Sequence, residues 1–257
     1  IYPYLPESEI ANVGRYLPQG IQERKKEIRS FMPRYGCINE RKNQLHEVIR
    51  LSGMNIIIND VDRPLVIKVA SVAAARMQVY FIDNEDYFHR KQIYHDEHGN
   101  FFADNGERAI FFARGVLETV KKLRWTPDIP CHGWISGILP AYLKKAYKDD
   151  PIFSNSKIVL SIYDDINDIS FTEGLKEKIV YGGLDAESIN LPDCPTGTDI
   201  AKFAAGYSDG VIIGSENVSQ ELQDYCKESG LPFLPFRKGT YEDNSYLDDY
   251  NSFYDNL

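Results

Sequence analysis

The chain has 257 residues, 43% hydrophobic and 26% charged, with 29 basic against 38 acidic side chains and a formal charge of -9. That length buries a substantial core, as one large α/β domain or two small ones. The negative balance excludes the basic surface that nonspecific binding to nucleic acid or to anionic membranes requires. No apolar run reaches the length of a membrane span, and Cys37, Cys131, Cys194 and Cys226 form no close pair. The expectation is a cytoplasmic protein with reduced thiols, no disulfide framework and no metal.

In chain order, Ser8 is an N-cap residue type placed before Ile10, Val13, Leu17 and Ile21, whose spacing predicts a helix over Glu9 to Glu23, kinked or broken at Pro18. Glu27 to Pro33 reads as a strand. Leu45 to Ile49, Met54 to Ile58 and Leu65 to Val72 are Val- and Ile-rich runs between turn residues, as in a β-meander. Gln78 to Ile82 returns to a buried strand, and Glu85 to Asn100, aromatic and polar without period, reads as a long surface excursion. Within it, His95-Asp96-Glu97-His98 has metal-capable side chains without a second cluster nearby, so a solvated loop is expected.

Gly106 to Leu123 carries Ala109, Phe112, Ala113, Val116, Leu117, Val120 and Leu123 on one face, with Lys121 and Lys122 suiting the helix C-terminus. Further helices are predicted over Ile135 to Tyr147 and Asp199 to Tyr207, and strands over Lys157 to Tyr163 and Gly210 to Gly214. Alternating strands and helices imply α/β architecture in three layers, with one mainly parallel sheet holding Ile28 to Met32, Gln78 to Ile82, Lys157 to Tyr163 and Gly210 to Gly214. No linker or repeat divides the chain, so residues 1–257 read as a single domain. In the acidic tail, Tyr246, Tyr250 and Tyr254 recur every four residues. That spacing predicts a terminal helix packing an aromatic face onto the domain, with a carbohydrate-binding platform as the alternative.

Three blocks carry the chemistry: Val79-Tyr80-Phe81-Ile82-Asp83-Asn84-Glu85-Asp86-Tyr87-Phe88, Asp104-Asn105-Gly106-Glu107-Arg108-Ala109-Ile110-Phe111-Phe112, and Pro127-Asp128-Ile129-Pro130-Cys131-His132-Gly133-Trp134. They resemble the blocks VYFIDNxxYF, DNxERFxFF and PDxxHxHDWH of the bacterial glycogen and starch synthases. The resemblance implies the N-terminal, Rossmann-like half of a GT-B glycosyltransferase fold acting in α-1,4-glucan metabolism. It also implies a first strand upstream of Ile1 and a nucleotide-sugar half that this sequence lacks. Asp104, Asn105, Arg108, His132 and Trp134 become candidates for contacting substrate, with Asp104, Asn105 and Arg108 expected to serve chiefly in fixing the helix start.

Where the family carries a Lys-Thr-Gly-Gly-Leu loop to cradle the donor diphosphate, this chain has Pro6-Glu7-Ser8-Glu9-Ile10. Two carboxylates there repel an anion by a few kcal/mol when poorly solvated, whereas at a helix start they complement the dipole. Where the family reads His-Asp-Trp-His-Thr and Thr-Val-His-Asn, the chain has His132-Gly133-Trp134-Ile135-Ser136 and Ser161-Ile162-Tyr163-Asp164. His132, Tyr163 and Asp164 therefore stand at the family's catalytic positions with altered chemistry. The resemblance implies either a non-catalytic module that binds glucan or protein, or a transferase component completed by a separately encoded donor-binding half; the altered loop favours the first. The partners it points to are an α-glucan or maltooligosaccharide and a protein, including a second copy; no cofactor is expected.

Overall fold

Ser8 takes up extended backbone in the computed structural model, which describes residues 1–257. Its hydroxyl accepts from the Ala11 amide at 3.2 Å and so caps helix α1 (Glu9–Glu23). The helix is continuous across Pro18, with Val13, Leu17 and Ile21 buried. Strand β1 (Ser30–Pro33) follows, then β2 (His46–Glu47), β3 (Met54–Ile58), β4 (Val61–Val72), β5 (Met77–Asp83), and helices α2 (Glu85–Phe88) and α3 (Asn105–Leu123). These elements up to Lys122 make one compact unit, Ile1–Lys122.

The sheet of this unit runs β1-β5-β4-β2, with β3 also paired to β4. Only the β1–β5 ladder is parallel. Asn59 and Asp60 turn the β3–β4 hairpin with φ of 50° and 63°, the left-handed pair that a two-residue hairpin loop needs. Helix α3 packs on the sheet at Gly115, where an added Cβ would lie 2.9 Å from Ile82 Cγ2 and 3.2 Å from Leu65 Cδ1. Its buried surface is wider than one stripe, since Ile110 and Phe111 are also inaccessible. The segment expected as a surface excursion departs from that expectation at Tyr87 and Phe88. Asn84 Oδ1 accepts from the Asp86 and Tyr87 amides, folding α2 so that both rings enter the core.

The second unit, Leu123–Leu257, contains β6 (Ile129–His132), α4 (Leu139–Lys145), β7 (Ile158–Ile162), α5 (Leu175–Tyr181), α6 (Gly197–Ala205), β8 (Gly210–Ile213), α7 (Gln220–Glu228), β9 (Phe233–Leu234) and α8 (Tyr246–Asp255). Its sheet, β6-β7-β8-β9, is parallel throughout. Strands β7 and β8 are buried along their whole length, as parallel strands covered on both faces must be. The helix expected over Ile135 to Tyr147 is divided: Trp134–Ser136 forms a 3-10 turn and α4 begins at Leu139. Strands β6 and β9 and helices α5 and α7 add to those predicted, with Pro130 accommodated in β6 because that strand pairs on one side only.

The fold is α/β with parallel strands. The four strands expected in one sheet are shared between two, β1 and β5 in the first unit and β7 and β8 in the second. No helix is long and apolar enough to cross a membrane.

Candidate functional site

The parallel sheet of the second unit brings four candidates to the C-terminal ends of its strands, where open α/β sheets bind ligands. His132 closes β6 in register with Ser161, and Tyr163 directly follows β7 two residues on, so the parallel ladder brings both to the same end of the sheet. His132 Nδ1 and Tyr163 Oη are 2.8 Å apart. Tyr163 is 1% exposed. Desolvation of the half-buried imidazole pulls the His132 pKa down from 6.5 to about 4, so the ring is neutral at physiological pH and accepts or donates according to tautomer. Burial also pushes the Tyr163 phenol up. The pair can orient a hydroxyl-bearing ligand; it is a poor proton donor.

Trp134 stands two residues beyond His132, after Gly133 at φ 73°, and its indole meets Phe171 edge-on at 5.5 Å. Its amide donates to Asp165 Oδ2 at 3.1 Å, while Asp165 Oδ1 is shut from solvent without a partner. Burial, with Asp164 adding repulsion, pushes the Asp165 carboxyl up from 3.8 to about 7. Asp164 itself is exposed; its amide donates to Ser215 Oγ at 3.3 Å, and its Oδ2 accepts from Asn217 Nδ2 at 3.5 Å.

The tail lies against this group. Tyr241 Oη donates to the Gly214 carbonyl at 2.7 Å and lies 3.2 Å from Tyr250 Oη, and the phenols of Tyr250, Tyr241 and Tyr254 are near enough to Tyr163 to push it further up. Tyr246 and Tyr250 are each 4% exposed. They are packing residues here, leaving no open aromatic platform on those rings.

Asp104, Asn105 and Arg108 form a separate cluster in the first unit. Asp104 does not cap α3 with its side chain; its carboxylate takes both guanidinium nitrogens of Arg90, one at 2.7 Å. Arg108, fully buried, reaches no carboxylate directly. Its Nε donates to the Tyr87 carbonyl at 2.8 Å, and a terminal nitrogen donates to the Ile93 carbonyl at 2.7 Å and to Asn105 Oδ1 at 2.6 Å. The rings of Phe88, Phe102 and Tyr35 surround the cation, their centroids 5.3, 5.6 and 5.7 Å from its carbon. Asn105 Nδ2 donates to the Tyr94 carbonyl at 2.9 Å. Together these side chains hold the segment after α2 in place.

Pro6, Glu7, Ser8 and Glu9 are exposed and open α1. Ser8 serves as its cap, and Glu7 Oε1 accepts from Asn12 Nδ2 at 3.4 Å. The loop is helix-start chemistry, without the glycines that let backbone amides converge on a phosphate. Asp165, Arg90 and Ser215 are the contributors that the sequence reading missed. Asp165 follows Asp164 directly, while nothing local marks the Arg90–Asp104 pairing.

The family model described as "Starch synthase catalytic domain" matches residues 1–232. Among curated relatives, the glycogen synthase of Chlorobium luteolum is 36% identical over 199 residues, covering 74% of this chain and 41% of that protein. The glycogen synthase of Chlorobaculum tepidum is 33% identical over 227 residues, 86% of this chain and 45% of that protein. That of Chlorobium limicola is 40% identical over 166 residues, 64% of this chain and 34% of that protein. The chain thus spans less than half the length of these relatives. Its fold is similar to the catalytic domain of starch synthase IV from Arabidopsis thaliana bound to ADP and acarbose, with a TM-score of 0.72, 16% identity, and coverage of 92% of this chain and 49% of that one. Matched to the family model from its first residue through β8 and α7, the chain belongs to the starch synthase catalytic domain family.

Proposed function

We propose that this chain is the acceptor-side component of a glucosyltransferase of the glycogen synthase class, holding an α-1,4-glucan while a second, donor-binding half presents a nucleotide-activated glucose. The observation that carries this reading is the family match over 1–232, together with relatives named glycogen synthase that are more than twice as long as the segment they share with it. The similar starch synthase IV binds ADP and acarbose, the two ligand classes this reading requires. Catalysis that develops charge on a leaving diphosphate needs donors preorganised around it. Pro6 to Glu9 offer none, so the donor contacts are assigned to the other half and transfer by this chain alone is not expected.

A second reading, a glucan- or protein-binding module without catalysis, is favoured by the burial of Tyr163 at 1% exposure and by the Ser8-capped loop. Transfer of labelled glucose from ADP-glucose to glycogen, measured with the chain alone and with a donor-binding half added, separates the two. The first reading expects transfer only with both present, lost on His132→Ala. Maltooligosaccharide binding by calorimetry without transfer in either mixture supports the second. Absence of both binding and transfer overturns both.

A further inference from the structure

Tyr163, the buried member of the strand-end pair with His132, is covered by the chain's own tail. Tyr250 and Tyr254, on α8, lie near enough to Tyr163 to push its phenol further up. Tyr241, on the segment leading into α8, ties Tyr250 to the carbonyl of Gly214, the residue against which the Tyr163 ring packs. Tyr241, Tyr246, Tyr250 and Tyr254 stack edge to face in sequence at 4.8, 5.7 and 6.3 Å. At the far end of the helix, Phe253 and Leu257 close over Gly210, where a Cβ would lie 2.9 Å from the Phe253 ring and 3.1 Å from Leu257 Cδ2.

The covered face is not fully satisfied. Tyr254 Oη is shut from solvent without a hydrogen-bond partner. Ser161 Oγ, two residues before Tyr163 and so on the same side of β7, is also buried and unpartnered. Buried hydroxyls without partners weaken the closed arrangement, and of the two only Ser161 stays on the sheet to meet a hydroxyl-bearing ligand when α8 lifts. At the start of the cover Ser245 caps α8 with no side-chain bond, and Asp249 in the first turn pairs with Arg237.

We propose that α8 is a tyrosine-pinned cover over the His132–Tyr163 pair, and that this pair meets a polyhydroxylated ligand, an α-1,4-glucan on the reading above, only when α8 lifts. The lifting does not depend on that reading; the identity of the ligand does. A wedge tests it: Gly210→Ala places a methyl nearest to Phe253 and Leu257, outside the pair itself. His132 is followed by NMR titration and maltoheptaose binding by calorimetry, in the full chain and in the variant.

The expected result is that Gly210→Ala moves the His132 pKa from about 4 toward 6.5 and raises maltoheptaose affinity at least about tenfold. A raised His132 pKa with no maltoheptaose binding in either protein supports the cover and overturns the glucan reading. An unchanged His132 titration in a variant whose α8 amides exchange faster with solvent overturns the cover, as does equal maltoheptaose affinity in both proteins. Should Gly210→Ala fail to fold, Phe253→Ala removes the same contact by truncation and is read by the same two measurements. Tyr250→Phe then serves as the second lifting variant.

Discussion

Asp165→Asn should make the protein more stable at alkaline pH and remove part of its pH dependence. In the folded chain the Asp165 carboxyl has one bond, from the Trp134 amide at 3.1 Å, and an orphaned Oδ1. Its pKa rises from 3.8 to about 7 because ionisation would place a charge on a carboxyl that water reaches only in part. The folded state therefore holds a proton that the unfolded chain has released. This contribution to stability is complete below about pH 4 and is lost progressively as the pH rises to about 7. The interval spans about three pH units, and at about 1.4 kcal/mol per unit the loss has a ceiling of about 4 kcal/mol. Asp165 keeps part of its surface in water, so about 2 kcal/mol is expected. Asparagine preserves the acceptor for Trp134 and cannot ionise. Urea unfolding at about pH 4.5 and about pH 8 should give an Asp165→Asn advantage that grows by about 2 kcal/mol between the two, or about 4–8 °C in Tm. An offset of the same size at both pH values would refute the reasoning, because a pH-independent effect cannot come from the carboxyl's titration.

Arg108→Met removes three hydrogen bonds that end on Tyr87, Ile93 and Asn105, leaving the buried Tyr87 carbonyl and the part-buried Ile93 carbonyl without the guanidinium, so denaturant unfolding should show a loss of about 3 kcal/mol. If Arg108→Met left stability unchanged while abolishing maltooligosaccharide binding, the residue's role would be recognition and not support. Gly115→Ala forces a methyl to within 2.9 Å of Ile82 and should cost about 1–3 kcal/mol by thermal melting, whereas a neutral result would mean α3 moves freely off its sheet. His132 has the opposite pH signature to Asp165: its folded pKa, about 4, lies below the ordinary 6.5, so its contribution is present above about pH 6.5 and lost as the pH falls toward about 4. His132→Gln should flatten that acid limb in urea unfolding, and an unchanged limb would place the imidazole in water.

The sequence by itself determined what depends on near neighbours. The spacing of Val13, Leu17 and Ile21 placed α1 between its observed ends, and the apolar pattern behind Asn105 placed α3, because burial of one face imposes the helical period directly on the residues. The short Val- and Ile-rich runs marked β3, β5, β7 and β8 for the same reason, and the Asp83, Asp104 and His132 blocks were sufficient to identify the family. Tertiary structure decided how the strands divide between two sheets, since strand pairing joins residues tens of positions apart and leaves no local period. It brought Tyr87 and Phe88 into the core through the Asn84 cap, in a stretch whose polar neighbours read as solvent. It also set His132 beside Tyr163, 31 residues on, left Arg108 among carbonyls and rings and not beside a carboxylate, and laid α8 over the strand ends. A tyrosine repeat says that a helix has an aromatic face; only the surface that face meets decides whether it presents a ligand site or closes one.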